Sequence, residues 1–264
     1  MVLPLYLAMT AAEIQGRTAL PERPAWMACH FSPYAKGISN APASLPQGSM
    51  LILNDRIPPQ GHDPGLVAAQ LAEAASQVGA ERLLLDFQRP GIGLLQEVAA
   101  AVAEKAACPV AVTPLYAGDL PCPVFLLPKL HKPLGEQLQA YPGREIWLEA
   151  ALECQQVTVT EKGSQFTEIP LQEGNFPHAD ERLHCSYRTE VGADFVRFTL
   201  QRDRAQLQKL LEQAQTLGVA CAVGLYQQLQ EHIACHSEER SDVGIRSLTA
   251  KDTDCHASVF TGSQ

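Results

Sequence analysis

The chain has 264 residues, 46% of them apolar, and a formal net charge of −9. That length suits one β/α barrel of about 250 residues or two small domains. It carries no basic stripe of the kind nucleic-acid binding needs. No apolar run approaches the roughly 18 residues that span a bilayer, so neither a nucleic-acid partner nor a membrane span is expected.

Residues 1–9 are apolar and lead into Thr10-Ala11-Ala12. A secretory signal begins with a cationic stretch, and no Lys or Arg precedes this one. It reads as a first buried strand, and the chain as cytoplasmic. Further short apolar runs follow at 26–30, 50–53, 82–87, 109–113, 123–127, 145–150 and 219–225. Most are continuous rather than alternating, as parallel strands are when both faces are covered. With the first run, at 3–8, there are eight.

Helical patterns separate several of these runs. Asp63-Pro64 supplies a cap and a first-turn proline. Leu66, Val67, Leu71, Ala74, Ala75 and Val78 then hold an apolar stripe that Gly79 ends. Leu94, Leu95, Val98 and Val102 mark a second helix. Leu207, Leu210, Leu211, Ala214 and Leu217 mark another, begun near Asp203 and closed by Gly218, and a weaker one runs near 134–141. Residues 10–25 and 31–49 need not be helical, and the link from 113 to 123 is too short for a full crossover helix. The expected architecture is an irregular (β/α)8 TIM barrel over residues 1–230.

Between the seventh and eighth strands the rhythm changes. Segments 155–160 and 165–171 alternate around Glu161-Lys162-Gly163-Ser164, and 183–188 and 194–200 flank a second turn. These read as two hairpins, a small β insertion over 154–200. From residue 231 the polar, aperiodic sequence reads as a disordered tail. The eight cysteines, at 29, 108, 122, 154, 185, 221, 235 and 255, contain no C-x-x-C pair and are expected to be reduced thiols. In Cys235-His236 and Cys255-His256 the adjacent side chains converge poorly on one ion, and the spacing fits no zinc finger. No metal or cofactor is expected.

Ligand groups in a barrel come from the carboxyl ends of the strands. Those positions hold His30 and Tyr34, Asn54 and Asp55, Asp86 and Gln88, Tyr116, Lys129 and His131, Glu149, and Tyr226, Gln227 and Gln228. Amides, hydroxyls and aromatics of this kind suit a sugar. Strand alternation points Asp86 and Gln88 the same way, into the mouth. A carboxylate there is costly unless it is paired or used. The alternative is a structural Asp86 that caps a loop amide or pairs with Arg89.

The order of elements resembles glycoside hydrolase family 18, the chitinase-type barrel, and within it the spore-cortex N-acetylglucosaminidase branch. The family's fourth strand carries D-x-x-D-x-D-x-E, and the matching stretch is Glu81-Arg82-Leu83-Leu84-Leu85-Asp86-Phe87-Gln88. The helix over 67–79 has the family's placement. So do His184 to Glu190 with Asp194 to Phe198, and the final helix and strand over 206–229. The likeness spans roughly residues 3–230.

The resemblance implies cleavage assisted by the substrate's own acetamido group, with the motif's last Glu protonating the leaving oxygen. Here that position is Gln88, whose amide supplies no titratable proton. Asp86 keeps the place of the residue that orients the acetamido group. Glu81 and Leu84 replace the earlier acids. The sixth strand lacks the family's Tyr-Asp pair, and Tyr226 stands near the usual platform Trp. The leading expectation is therefore a pseudoenzyme that binds an N-acetylglucosamine polymer or peptidoglycan fragment. Asp86, Gln88, Asn54, Tyr116, Tyr226 and Gln228 would form its site. The alternatives are an active glycosidase with a relocated acid at Glu149 or Asp55, a barrel of unrelated activity, and a partner-binding barrel acting through 154–200.

Overall fold

The computed structural model describes residues 2–17 and 19–230. The stretch read as a tail, with its two Cys-His pairs, lies outside the described residues. The first sheet contains β1 (Leu5–Met9), β2 (Pro24–Phe31), the two-residue β3 (Ile38–Ser39), β4 (Met50–Asn54), β5 (Arg82–Asp86), β6 (Val110–Val112), β7 (Val124–Leu126), β8 (Ile146–Glu149) and, after the five strands of a second sheet, β14 (Cys221–Leu225). Neighbours run β1-β14-β8-β7-β6-β5-β4-β2, and β2 returns to β1. All eight pairings are parallel, so the sheet closes as a (β/α)8 TIM barrel. Every apolar run in the sequence became one of its strands. β3 is an antiparallel addition to β2 at the rim.

The pleat sorts side chains into two cores. Tyr6, Ala8, Ala25, Met50, Ile52, Leu84, Ala111, Phe125, Trp147, Cys221 and Val223 fill the barrel interior. Leu51, Leu53, Leu83, Leu85, Phe87, Val110 and Val112 face outward onto helices. Both faces are therefore dry, and the runs are continuous for that reason.

The helices are α1 (Ala11–Gln15), α2 (Pro64–Val78), α3 (Gly93–Lys105), α4 (Pro114–Ala117), α5 (Leu134–Leu138) and α6 (Arg204–Thr216). Asp63 caps α2 by accepting from Leu66 N, and Gly79 closes it at φ 63°, a left-handed conformation that glycine adopts without strain. Asp203 caps α6 in the same way through Gln206 N. The segment 10–25 does hold one helix: Thr10 and Glu13 form a reciprocal capping box around α1, an S/T-x-x-E signal visible in the sequence. No helix joins β2 to β4, and a single turn, α4, lies between β6 and β7. The barrel is irregular at those points.

The second sheet contains β9 (Glu153–Thr160), β10 (Gly163–Ile169), β11 (His178–Asp180), β12 (Cys185–Val191) and β13 (Val196–Arg202). Its order is β10-β9-β13-β12-β11, antiparallel throughout. The hairpins β9–β10 and β12–β13 are joined by the β9–β13 ladder, and β11 adds a fifth strand that periodicity did not suggest. Leu200 and Cys185 of this sheet pack on Leu130, from the loop after β7. His131 in that loop lies 2.9 Å from Gln155 Oε1 and stacks on Phe166 at 4.2 Å. The insertion is thus fastened to the barrel rim.

Candidate functional site

Three neighbouring strands end level with one another. His30 is in register with Asn54, and Asn54 with Asp86. A register shift in β2 between Trp26 and Cys29 resets the pleat, so that His30 joins the inward-facing row. Such bulges commonly re-aim a side chain at barrel rims. Across the mouth, Glu149 continues the inward row of Trp147 on β8 and is in register with Val223.

These residues line a cavity of about 710 Å³ at the carboxyl end of the barrel. Asn54, Asp86, Gln88, Glu149 and Gln228 all border it, as do Thr10, His30, Asp55, Arg56 and Arg89. Its size is within the usual range for a small-molecule site. Gly224 borders it too. A Cβ there would sit 2.4 Å from Ala150 O, so only glycine lets β14 pass this closely.

Several of these side chains are occupied in holding the rim. Asn54 donates from Nδ2 to Met27 O at 3.0 Å, accepts from Arg56 N at 3.2 Å and lies 3.0 Å from His30 Nδ1. Asp55 Oδ2 accepts from Gln88 N at 3.1 Å and Arg89 N at 2.7 Å. Asp55 is buried and works as the anchor of the β5–α3 loop, which argues against it as a relocated acid. Gln228 accepts from Leu152 N at 3.2 Å.

Asp86, Gln88 and Glu149 remain open to a ligand. Gln88 Nε2 donates to Asp86 Oδ1 at 2.9 Å. Burial raises the Asp86 carboxyl above its ordinary value; the Gln88 hydrogen bond opposes this and nearby Asp55 adds to it. Asp86 does not pair with Arg89, whose guanidinium donates to Arg56 O. Glu149 accepts no hydrogen bond among the described residues. Burial, reinforced by the charges of Glu153, Asp86 and Glu168 and opposed by Arg202, pushes its carboxyl up to about 7. Arg202, almost fully buried, pairs with Glu153 at 2.7 Å and leaves its Nε unpartnered. Neither Glu153 nor Arg202 stood out in the sequence, because they are paired only across the β9–β13 ladder of the insertion.

Two expected contacts are placed elsewhere. Tyr116 is buried in the outer layer: its hydroxyl donates to Arg89 O, accepts from Ile92 N at 3.3 Å, and its ring meets Phe87 edge-on at 6.0 Å. The α4 turn directs it away from the mouth. Tyr226 follows β14 but does not line the cavity; Arg17 lies over its ring at 4.2 Å. Tyr34 is 97% exposed. The described cysteines are free, and all but Cys108 are buried. Burial raises Cys29 and Cys221 to about 12, which leaves them unreactive thiols.

No helix among the described residues is long and apolar enough to cross a membrane. No protein-family model and no curated protein matches the chain. Crystal structures similar to it include the spore cortex-lytic enzyme SleL of Bacillus cereus at 8% identity and TM-score 0.45, and SleL of Bacillus megaterium QM B1551 at 12% and 0.44. Each similarity covers 84% of this chain and 70% of the other.

Proposed function

We propose that the carboxyl mouth of this barrel binds a glycan containing N-acetylglucosamine, and that the residue at the family's proton-donor position takes part as a hydrogen-bonding amide. The observation that carries this reading is the shared cavity of Asp86 and Gln88, joined by their 2.9 Å hydrogen bond. In that pair Asp86 is the acceptor for a ligand amide, while the Gln88 carboxamide offers both a donor and an acceptor. Calorimetry with chito-oligosaccharides tests it. Binding is expected to weaken about tenfold or more in Asp86→Ala. The absence of both heat and any shift in melting temperature would sink the reading.

A second reading is favoured by Glu149. A carboxyl titrating near 7 in the same cavity is half protonated at neutral pH, which suits a general acid. On this reading the protein cleaves its glycan: Glu149 protonates the leaving oxygen, Asp86 stabilises the positive charge that develops, and water adds to the anomeric carbon and returns a proton to Glu149. Turnover of a chromogenic N-acetylglucosamine oligomer is then expected to fall as pH rises through about 7 and to vanish in Glu149→Gln. Binding without turnover at any pH leaves the first reading alone.

A further inference from the structure

Beside the mouth lies a second cavity, of about 600 Å³, and Gln88 borders both. Its walls are largely apolar, with Leu115, Leu126, Leu127 and Tyr141 among them. Two cations, Lys129 and Lys132, complete the lining from the loop after β7. Neither makes an ion pair among the described residues. Glu136 also borders the cavity, but its carboxylate pairs with Arg182 at 3.3 Å. A chain with a net charge of −9 thus brings two ammonium groups that make no ion pair among the described residues to one concave site.

The lysines are carried on a braced loop. The Gln137 side chain accepts from Lys129 N at 2.8 Å and donates to Lys129 O at 3.1 Å and Lys132 O at 2.7 Å. Lys132 N donates to Lys129 O at 3.2 Å, which closes the turn. One buttressing amide therefore fixes the backbone of both cations. Such preorganisation lowers the ordering cost of binding.

We propose that this cavity is an anion-accepting subsite, which takes the negatively charged substituent of a sugar unit next to the one held at Asp86 and Gln88. The inference rests on the glycan reading of the mouth and narrows it to acidic glycans. A ligand that fills both cavities passes over Gln88, with a ring face against Leu115 and Tyr141 and its anionic group toward the ammoniums. Lysine acts as a compact point charge without a fixed fork, so a carboxylate and a sulfate ester are both accepted.

The test is calorimetric titration of the full chain with three probes: neutral chitotetraose, the same oligomer carrying a C6 carboxylate, and its 6-O-sulfated form. At low salt either anionic probe is expected to bind about tenfold more tightly than the neutral one. The gap should close in 0.5 M salt and in the double variant Lys129→Gln/Lys132→Gln, whose affinity for neutral chitotetraose stays at the parent value. Equal affinities for all three probes overturn the proposal, as does a double variant that loses neutral and anionic binding alike while melting like the parent. If the neutral oligomer fails to bind but glucuronate alone binds in a manner the double variant abolishes, the glycan reading of the mouth falls and the anion subsite stands. Gln137→Leu provides a second check, because unbracing the loop is expected to cost anionic affinity several-fold without altering the cavity charge.

Discussion

The two ends of the barrel treat their polar groups in opposite ways, although the same strands supply both. At the amino end, Arg82 opens β5 and Trp147 lies in β8. Tyr6 donates to Glu81 at 3.2 Å, and Arg82 donates to Tyr6 at 3.1 Å and to Glu145 at 3.4 Å. Trp147 Nε1 donates to Glu145 at 2.6 Å, and the Arg82 guanidinium lies 5.0 Å above the Trp147 ring. Glu81, Arg82 and Glu145 each have a partner there, and the network closes that end of the barrel. At the carboxyl end, Asp86 closes β5 with one neutral donor, and Glu149 closes β8 with none. A few residues of strand separate satisfied polar groups from unsatisfied ones. The first kind contributes to stability. The second kind costs stability and makes sense at the end of a barrel where ligands bind.

This contrast can be broken or sharpened by substitution. The largest effect is expected from the almost fully buried cation of the insertion, which pairs with Glu153 at 2.7 Å. Arg202→Met leaves the half-buried Glu153 without its cation, at a cost of about 2 kcal/mol or more at pH 7, read by urea denaturation. The Glu153 carboxyl is already raised, by burial first, and Arg202 is what opposes the rise, so the loss should shrink as pH falls. A cost at pH 7 no larger than that of Arg82→Met would remove the distinction between the two ends.

Glu149→Gln should have the opposite sign. The carboxyl's folded value of about 7 stands above its ordinary 4.5. Between those values the folded protein holds a proton that the unfolded chain has released, so stability falls as pH rises from about 4.5 to 7, and the penalty is complete above 7. Taken in full the shift corresponds to about 3 kcal/mol. The open cavity screens part of it, and a gain of about 2 kcal/mol at pH 8 is expected for the variant. At pH 4 the two proteins should be equally stable. A variant less stable than its parent at pH 8 would mean that Glu149 is a satisfied structural group. Arg82→Met, at the plugged end, removes hydrogen bonds and a cation–π contact. Because Glu145 is exposed, the cost is held to about 1.5 kcal/mol, and chito-oligosaccharide binding should be unchanged.

The same contrast explains which features were legible in the sequence. The eight strands could be read because burial on both faces forces continuous apolar runs, and α2 because Asp63, Pro64 and Gly79 punctuate it. Asp86 and Gln88 could be located because alternation after Leu83-Leu84-Leu85 fixes which way they face. Tyr116 and Tyr226 could not, since position past a strand end does not give direction: the α4 turn sends one outward, and Arg17 engages the other on the rim. The register shift in β2 that aims His30 leaves no compositional trace. Arg202 and Glu153 were invisible as a pair, because only the β9–β13 ladder brings residues so far apart in the chain side by side. The paired lysines were half visible. Lys129 follows a strand closely enough to be picked out by position, but Lys132 and the bracing Gln137 depend on the fold of the loop.

The smallest stability effect, and the most direct probe of the open end, is expected from Gln88→Glu. The native amide donates to Asp86 without needing a proton of its own. A carboxyl in its place can keep that hydrogen bond only while protonated, because two adjacent carboxylates repel. At pH 5 the variant should melt within a degree or two of the parent. By pH 8 it should be less stable by somewhat under about 1 kcal/mol, since residue 88 is exposed and water screens the repulsion. The pair should then share one proton with coupled titration, visible as an upward displacement of the Asp86 carboxyl carbon titration in nuclear magnetic resonance. Chitotetraose affinity should acquire the same pH dependence, strongest where the shared proton is retained. A variant whose stability and affinity stay flat from pH 5 to 8 would show that residues 86 and 88 do not act as a unit in solution, and the amide could then no longer be regarded as the partner that keeps Asp86 ready for a ligand.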